Sequence, residues 1–340
     1  LLLCFILLRH IIKIKKCALH LISYLYKLYR LSKNQRRSPS KIKKLQEEKL
    51  CALLRHAYTK VRYYRTLFER AGITPEDIRH IEDINKIPLT TRKDLQRLSR
   101  EEITASDTDW AHCVNLRTSG STGAPLGIFI NYQEIRQRAL SCWRMYFGNG
   151  GKLSYRELIV TTPQHFMGTN WMQRLGILKI RYMSLLDSVE KQIKTISEFK
   201  PHIIDGFSSC LKILALEIKN RKLSGIKPRI LFTTAELFTE ADRKFIASFF
   251  QSELFDRYAC NEVGIIAVEC KVHNGYHIDA DNVIVEFIKE DGTKAEAEEE
   301  GEIVITSLNS YTMPFIRYRL GDIGVPSDEK CPCGITLPLM

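Results

Sequence analysis

No stretch of this chain stays apolar for the ~20 residues that a membrane-spanning helix needs. The run Leu1 to Leu8 ends at Arg9, and a basic stretch follows to Lys16. The order of charges is also not the one expected of a secretory signal, since they come after the apolar run and no small-residue cleavage site is evident. The ten cysteines lack the spacing of a disulfide framework. Most, such as Cys51, Cys142 and Cys210, stand alone in apolar or helical surroundings, where cysteine acts as a small hydrophobe. A reducing, cytoplasmic setting is therefore expected. Only Cys331 and Cys333 form a tight pair. There are no internal repeats.

The chain is also short of acid at one end. Residues 1–70 hold 18 Lys/Arg against 3 Asp/Glu, whereas the remainder holds 33 against 36. The overall charge of +12 is thus a property of the N-terminal segment, which argues against nucleic acid binding by the body. Hydrophobic and charged contents of 44% and 26% are ordinary for a globular protein, and 340 residues suffice for a large core.

From Leu7 through Ile11, Ile14, Ala18, Leu21, Leu25 and Leu28 the apolar spacing is helical, with Lys13, Lys16, Lys27 and Arg30 alongside. Two readings follow. Residues 1–30 either lie on an anionic membrane surface or dock on the domain with a basic face in water. Docking is preferred, because apolar helical stripes more often face a core. Residues 32–40 read as a connector and 41–70 as helical. Thr90 or Thr91 is a candidate cap for the helix that follows. Residues 1–40 are accordingly a basic amphipathic segment and connector, and 41–340 the main domain.

The densest chemical signal is Arg117-Thr118-Ser119-Gly120-Ser121-Thr122-Gly123-Ala124-Pro125. Glycines allow close backbone approach, and hydroxyls with backbone N–H groups make an anion cradle. Residues 112–116 before it and 126–130 after it read as strands. A Walker loop is excluded, because it needs Gly-Lys-Ser/Thr and a helix directly behind. Downstream, residues 132–147 read as a helix and 157–162 as a buried strand leading to a candidate acid-pocket segment at His165. Strand and helix patterns then alternate from 201 to 250, which implies a parallel sheet with crossover helices. Short strands and turns follow, giving a β-rich sub-lobe from about residue 265.

Three motifs in order carry a resemblance. The hydroxyl loop resembles the phosphate loop of the adenylate-forming superfamily, the acyl-CoA synthetases and luciferases. Leu126 after the proline, where many members have Lys, is a feature of the phenylacetate–CoA ligase branch. Tyr258-Ala-Cys-Asn261-Glu262 resembles the motif Tyr-Gly-x-Ser/Thr-Glu, with Ala259 and Asn261 as departures. Gly301 to Thr306 with Arg317-Tyr-Arg-Leu-Gly-Asp322 resembles the third. Within the family, Gly275 to Asp279, the segment ending at Pro314 and Cys-Pro-Cys-Gly334 are similar to the CapK-type capsular polysaccharide branch.

The resemblance implies an α/β fold: the large N-terminal domain of an adenylate-forming enzyme, with mostly parallel sheets, flanking helices and the β-rich sub-lobe. It implies ATP-dependent conversion of a carboxylic acid, aryl-acetate-like or other, to an acyl-adenylate, then transfer to coenzyme A. Thr118, Ser119, Gly120, Ser121, Thr122 and Gly123 would hold phosphate. Tyr258 would pack on adenine, and Asn261 would touch phosphate. Glu262 would bind Mg²⁺, a hard ion suited to carboxylate oxygen. Asp322 would accept from the ribose hydroxyls, and Thr122 and Glu262 are the implied catalytic pair. Ala235 and Glu236 match the turn edging the adenine pocket, with a helix-capping role as the alternative. A C-terminal lid of ~100 residues supplying a catalytic lysine is expected after Met340, so a truncated or fragmentary copy with weak activity is expected. The alternative function is a non-catalytic nucleotide-binding protein serving capsule assembly.

One constellation stands outside those motifs. Cys331-Pro-Cys333-Gly has the tight, Gly-ended turn of a zinc knuckle, and Cys270 and His277 lie in a short segment able to form the opposing hairpin. Three thiolates and one imidazole make a closed structural Zn²⁺ set. His273 is the rival fourth ligand. Unrelated free thiols are the plain alternative.

Overall fold

The computed structural model describes residues 22–117, 126–163, 173, 176, 178–237 and 239–340. The chain divides into two compact units. The first comprises Leu1–Met145, Asp279–Lys330 and Gly334–Pro338, and the second Tyr146–Ile278, Cys331–Cys333 and Leu339–Met340.

The first unit opens with helix α1, residues 22–34. Its inner face is docked, although of the predicted apolar stripe only Leu25 and Leu28 fall among the described residues and Leu25 is exposed. Leu28, Leu31 and Asn34 are buried, and Tyr24 meets Trp143 edge-on at 4.9 Å, an arrangement worth ~1 kcal/mol beyond area burial. The outer face is not covered: Ile22, Leu25, Tyr26 and Tyr29, at helical spacing, are 46–62% exposed.

Helices α2 (Pro39–Lys60) and α3 (Arg62–Ala71) divide the segment 41–70, which reads as one helical pattern. Val61, extended at φ −114°, breaks it. The break turns Tyr64 and Phe68 into the core formed by Leu50, Leu53, Leu54, Ile87 and Ile316. Helix α4 (Arg92–Gln96) is capped by Thr91, whose hydroxyl accepts from the Asp94 N–H while the Asp94 carboxylate reaches back, a pair worth ~1 kcal/mol. Thr90 instead donates to the Ile316 carbonyl. Helix α5 (Arg100–Ile103) follows, and then the antiparallel hairpin of β1 (Cys113–Arg117) and β2 (Gly127–Asn131).

Helix α6 (Tyr132–Gly148) starts at a buried carboxylate. Glu134 accepts from the N–H groups of Asn131, Tyr311 and Thr312, at 3.0, 2.7 and 2.7 Å, fixing the Ser310–Pro314 segment to the helix start. One turn before the helix ends, buried Arg144 pairs with Asp279 and Asp281, and Asn34 of α1 donates to Asp281 at 2.7 Å.

The second unit is built on a seven-stranded sheet. Its early elements are β3 (Arg156–Thr161), β4 (Lys179–Ser184), α7 (Val189–Phe199), β5 (Ile203–Phe207) and α8 (Ser208–Asn220). They continue as β6 (Ile230–Thr234), α9 (Glu240–Phe250), β7 (Glu253–Cys260), β8 (Gly264–Glu269) and β9 (Tyr276–Ile278). The strand order is β4-β3-β5-β6-β7-β8-β9, parallel through β7 and antiparallel beyond. The central strands β5 and β6 are buried along four of their five residues because both faces are covered. Leu211, Leu214 and Phe250 from the helices are fully buried against Leu158, Ile204 and Leu231, each worth ~1.5–3 kcal/mol.

The first unit closes with a separate antiparallel sheet of β10 (Val283–Ile288), β11 (Gly301–Ser307) and β12 (Tyr318–Gly324). This corrects the expected sub-lobe boundary near residue 265. β8 and β9 complete the larger sheet, and a separate sheet starts only with β10. Hairpin-like spacing after parallel strands reads as a new lobe in sequence, yet antiparallel strands add to a parallel sheet's edge by the same hydrogen bonding. The parallel character also belongs to the larger sheet alone. Among the described residues no helix is long and apolar enough to cross a membrane, and the cysteines are unbridged.

Candidate functional site

The carboxyl ends of parallel strands are where open α/β sheets place ligand-binding groups. In the second unit these ends carry the predicted residues. Tyr258 lies near the end of β7, and Asn261 and Glu262 form the tight turn into β8. Glu262 is buried and Tyr258 and Asn261 are half-buried. A register shift at Tyr258/Ala259 re-aims the end of the strand, as β-bulges do. A buried carboxylate on such a turn fits a hard cation shared with phosphate oxygens.

Ala235 follows β6 with φ +67°, a left-handed conformation that costs a non-glycine residue ~1 kcal/mol or more. It places Glu236 against the start of α8. One Glu236 oxygen accepts from the Ser208 hydroxyl and the Ser209 N–H, at 2.9 and 2.8 Å, and the other from the Ser209 hydroxyl at 2.8 Å. One oxygen thus accepts a free N–H at the start of α8, while the helix that follows the turn is capped by Thr239.

Asp322, on β12 of the first unit, is exposed. Arg317 of the same motif is buried. Its guanidinium pairs with Glu286 and donates to the carbonyls of Ile87 and Asn85, so it holds the fold of that unit. The hydroxyl loop, Thr118 to Gly123, lies outside the described residues, as does His165. The strands expected on either side of the loop are present as β1 and β2.

Several polar groups had no signal in the sequence. Arg257 on β7 makes a two-pronged pair with Asp205 on β5, at 2.7 and 2.8 Å, across the intervening strand β6. Beside them, burial first and then the Asp205 charge push Glu157 up to about 8, with Arg257 acting in opposition. A second network crosses the same sheet. Asp256 accepts from Thr233 and Tyr276 at 2.6 and 2.8 Å, while Glu269 accepts from the Asp256 N–H and from Arg243 at 2.7 and 2.6 Å.

That network leads to the predicted metal set. Cys270, His277, Cys331 and Cys333 lie together, and their ligand atoms all fall within 4.8 Å of one another. Cys270 Sγ is 3.6 Å from Cys331 Sγ, and Cys333 Sγ is 3.3 Å from His277 Nε2. His273 points elsewhere: its ring stacks on Phe255, and its Nδ1 is 3.4 Å from a Glu269 oxygen.

No protein-family model matches the chain. The phenylacetate–coenzyme A ligase of Escherichia coli (strain K12) is 30% identical over 301 residues, which is 84% of this chain and 67% of the relative. Protein CapK of Staphylococcus aureus is 21% identical over 269 residues, 76% of this chain and 58% of that protein. In fold the chain is similar to a 2-hydroxyisobutyryl-CoA ligase solved with 2-HIB-AMP and CoA. The TM-score is 0.81 at 19% identity, covering 90% of this chain and 74% of the other.

Proposed function

The chain belongs to the phenylacetate–coenzyme A ligase family, and on that premise we propose that it uses ATP to activate a carboxylic acid, ahead of transfer to coenzyme A. The acid's carboxylate attacks the α-phosphorus of ATP, the bond to the bridging oxygen breaks, and pyrophosphate leaves. Such a step needs positioning and charge neutralisation, with no side-chain nucleophile. The observation that carries the reading is the buried Glu262 carboxylate on the β7–β8 turn, directly after Tyr258 and Asn261. Glu262 would hold Mg²⁺, which supplies charge neutralisation at the phosphates when bound. Tyr258 offers a ring face to adenine, Asn261 an amide donor to phosphate, and Asp322 a carboxylate to the ribose hydroxyls. The loop from Thr118 to Gly123, with Thr122, is the phosphate cradle. Arg257, held by Asp205, keeps β7 in register with β5 and β6 and so fixes the strand that ends at Tyr258.

The outer face of α1 suggests where this activity takes place. Ile22, Leu25, Tyr26 and Tyr29 are exposed together, with Lys27, Arg30 and Lys33 on the same helix. That combination suits the surface of an anionic bilayer, to which each nearby Lys or Arg adds about 1 kcal/mol.

A pyrophosphate-release assay over a panel of carboxylic acids, aryl-acetates included, tests the ligase reading. Acid-dependent release is expected with at least one of them. Tight ATP binding with no release for any acid would favour a nucleotide-binding protein of polysaccharide biosynthesis.

A further inference from the structure

We propose that Cys270, His277, Cys331 and Cys333 bind one structural Zn²⁺ that anchors the edge of the seven-stranded sheet. Two of the six ligand–ligand separations already have the size that the ion requires, and all six lie within 4.8 Å. A zinc ion ~2.3 Å from sulfur and ~2.0 Å from nitrogen has tetrahedral ligand–ligand edges of roughly 3.5–3.8 Å. The observed Sγ···Sγ and Sγ···Nε2 separations of 3.6 and 3.3 Å are of that size. A disulfide between Cys270 and Cys331 would need ~2.05 Å between sulfurs. It would also leave Cys333 and His277 facing each other for no purpose.

The surroundings fit thiolates bound to a cation. The Val272 N–H points at Cys270 Sγ at 3.5 Å, an i to i+2 contact that stabilises a sulfur anion within its own turn. Cys270, His277 and Cys331 are buried and Cys333 is half-buried, and four protein ligands leave no position open to water. Closed Cys₃His sets of this kind are structural rather than catalytic.

The local backbone is shaped to bring the ligands together. Gly275 adopts φ +72° and lies so close to the chain that an added Cβ would sit 2.8 Å from the Met340 carbonyl. The Tyr276 N–H donates to that same carbonyl at 2.8 Å, the Met340 N–H returns a bond to Tyr276 at 3.0 Å, and His277 pairs with Leu339. Gly334 at φ +81° turns the chain directly after Cys333. β9 is only three residues long and pairs with β8 alone among the named strands. One metal ion would fasten it to the Cys331–Cys333 turn more firmly than that ladder can. The Asp256–Tyr276 and Glu269–Arg243 contacts brace the residues next to His277 and Cys270 from the sheet side.

The test uses the full chain, expressed with zinc in the medium and purified without a metal-affinity tag. About one zinc per chain is expected by elemental analysis, retained in His273→Ala and lost in Cys331→Ser. Should the serine variant fail to fold, the parent protein still decides. Titration with a mercurial should release one zinc per chain, and cobalt-substituted protein should show thiolate-to-cobalt charge transfer with strong tetrahedral visible bands. Metal-free protein, or an intact mass showing a disulfide, would overturn the proposal. Neither result depends on ligase activity.

Discussion

Glu157 gives a prediction whose sign and size follow from the structure. It sits on β3 beside Asp205, and burial with that neighbouring charge holds its carboxyl near 8 instead of 4.5. Between those two pH values the folded chain keeps a proton that the unfolded chain has lost. Stability from this group is therefore complete below about pH 4.5, falls as pH rises, and is lost above about pH 8. At ~1.4 kcal/mol per pH unit the difference is of the order of a few kcal/mol. Glu157→Gln keeps the shape and removes the titration. Urea unfolding followed by far-UV circular dichroism at pH 5, 7 and 9 reads the difference between parent and variant. The variant should gain on the parent by a few kcal/mol between pH 5 and 9. Parallel curves across that range would refute the reasoning, because every other titrating group is common to both proteins.

Two further outcomes are expected. Asp322→Ala, at an exposed position on β12, should leave the melting temperature nearly unchanged and weaken both adenosine and ATP about tenfold or more; equal affinities in calorimetry would remove the ribose role. Replacing Tyr26 and Tyr29 with Glu should abolish salt-sensitive sedimentation with phosphatidylserine vesicles while α1 stays docked through Leu28 and Leu31, whereas unchanged sedimentation would rule out that face as the membrane contact.

What the sequence made legible was whatever lies within a few residues of itself. The helix spacing of α8 and α9, the Thr91 cap, the strands around the hydroxyl loop and the Cys-x-Cys turn are all local patterns. Sheet partners are not. Asp205 and Arg257 are separated by 52 positions, and nothing in either neighbourhood announces the other. Glu236 shows the same limit from the opposite side. Its motif suggests a ligand-facing turn, but the start of α8, 27 residues earlier in the chain, supplies the donors that occupy it. The boundary near residue 265 failed for a related reason. Turn spacing reports hairpins, and whether a hairpin founds a new sheet or extends an old one depends on the edge it meets. Buried Arg317 likewise reads as part of a ligand motif, and only the fold shows it serving Glu286 and the Ile87 carbonyl.

The proposed activation of an acid requires that ATP be held through Mg²⁺ on Glu262. Isothermal titration of ATP into the parent protein and into Glu262→Gln, each with and without Mg²⁺, tests it most directly. The account predicts Mg²⁺-dependent binding by the parent and loss of most of that dependence in the variant. Identical ATP titrations for the two proteins in Mg²⁺ would contradict it.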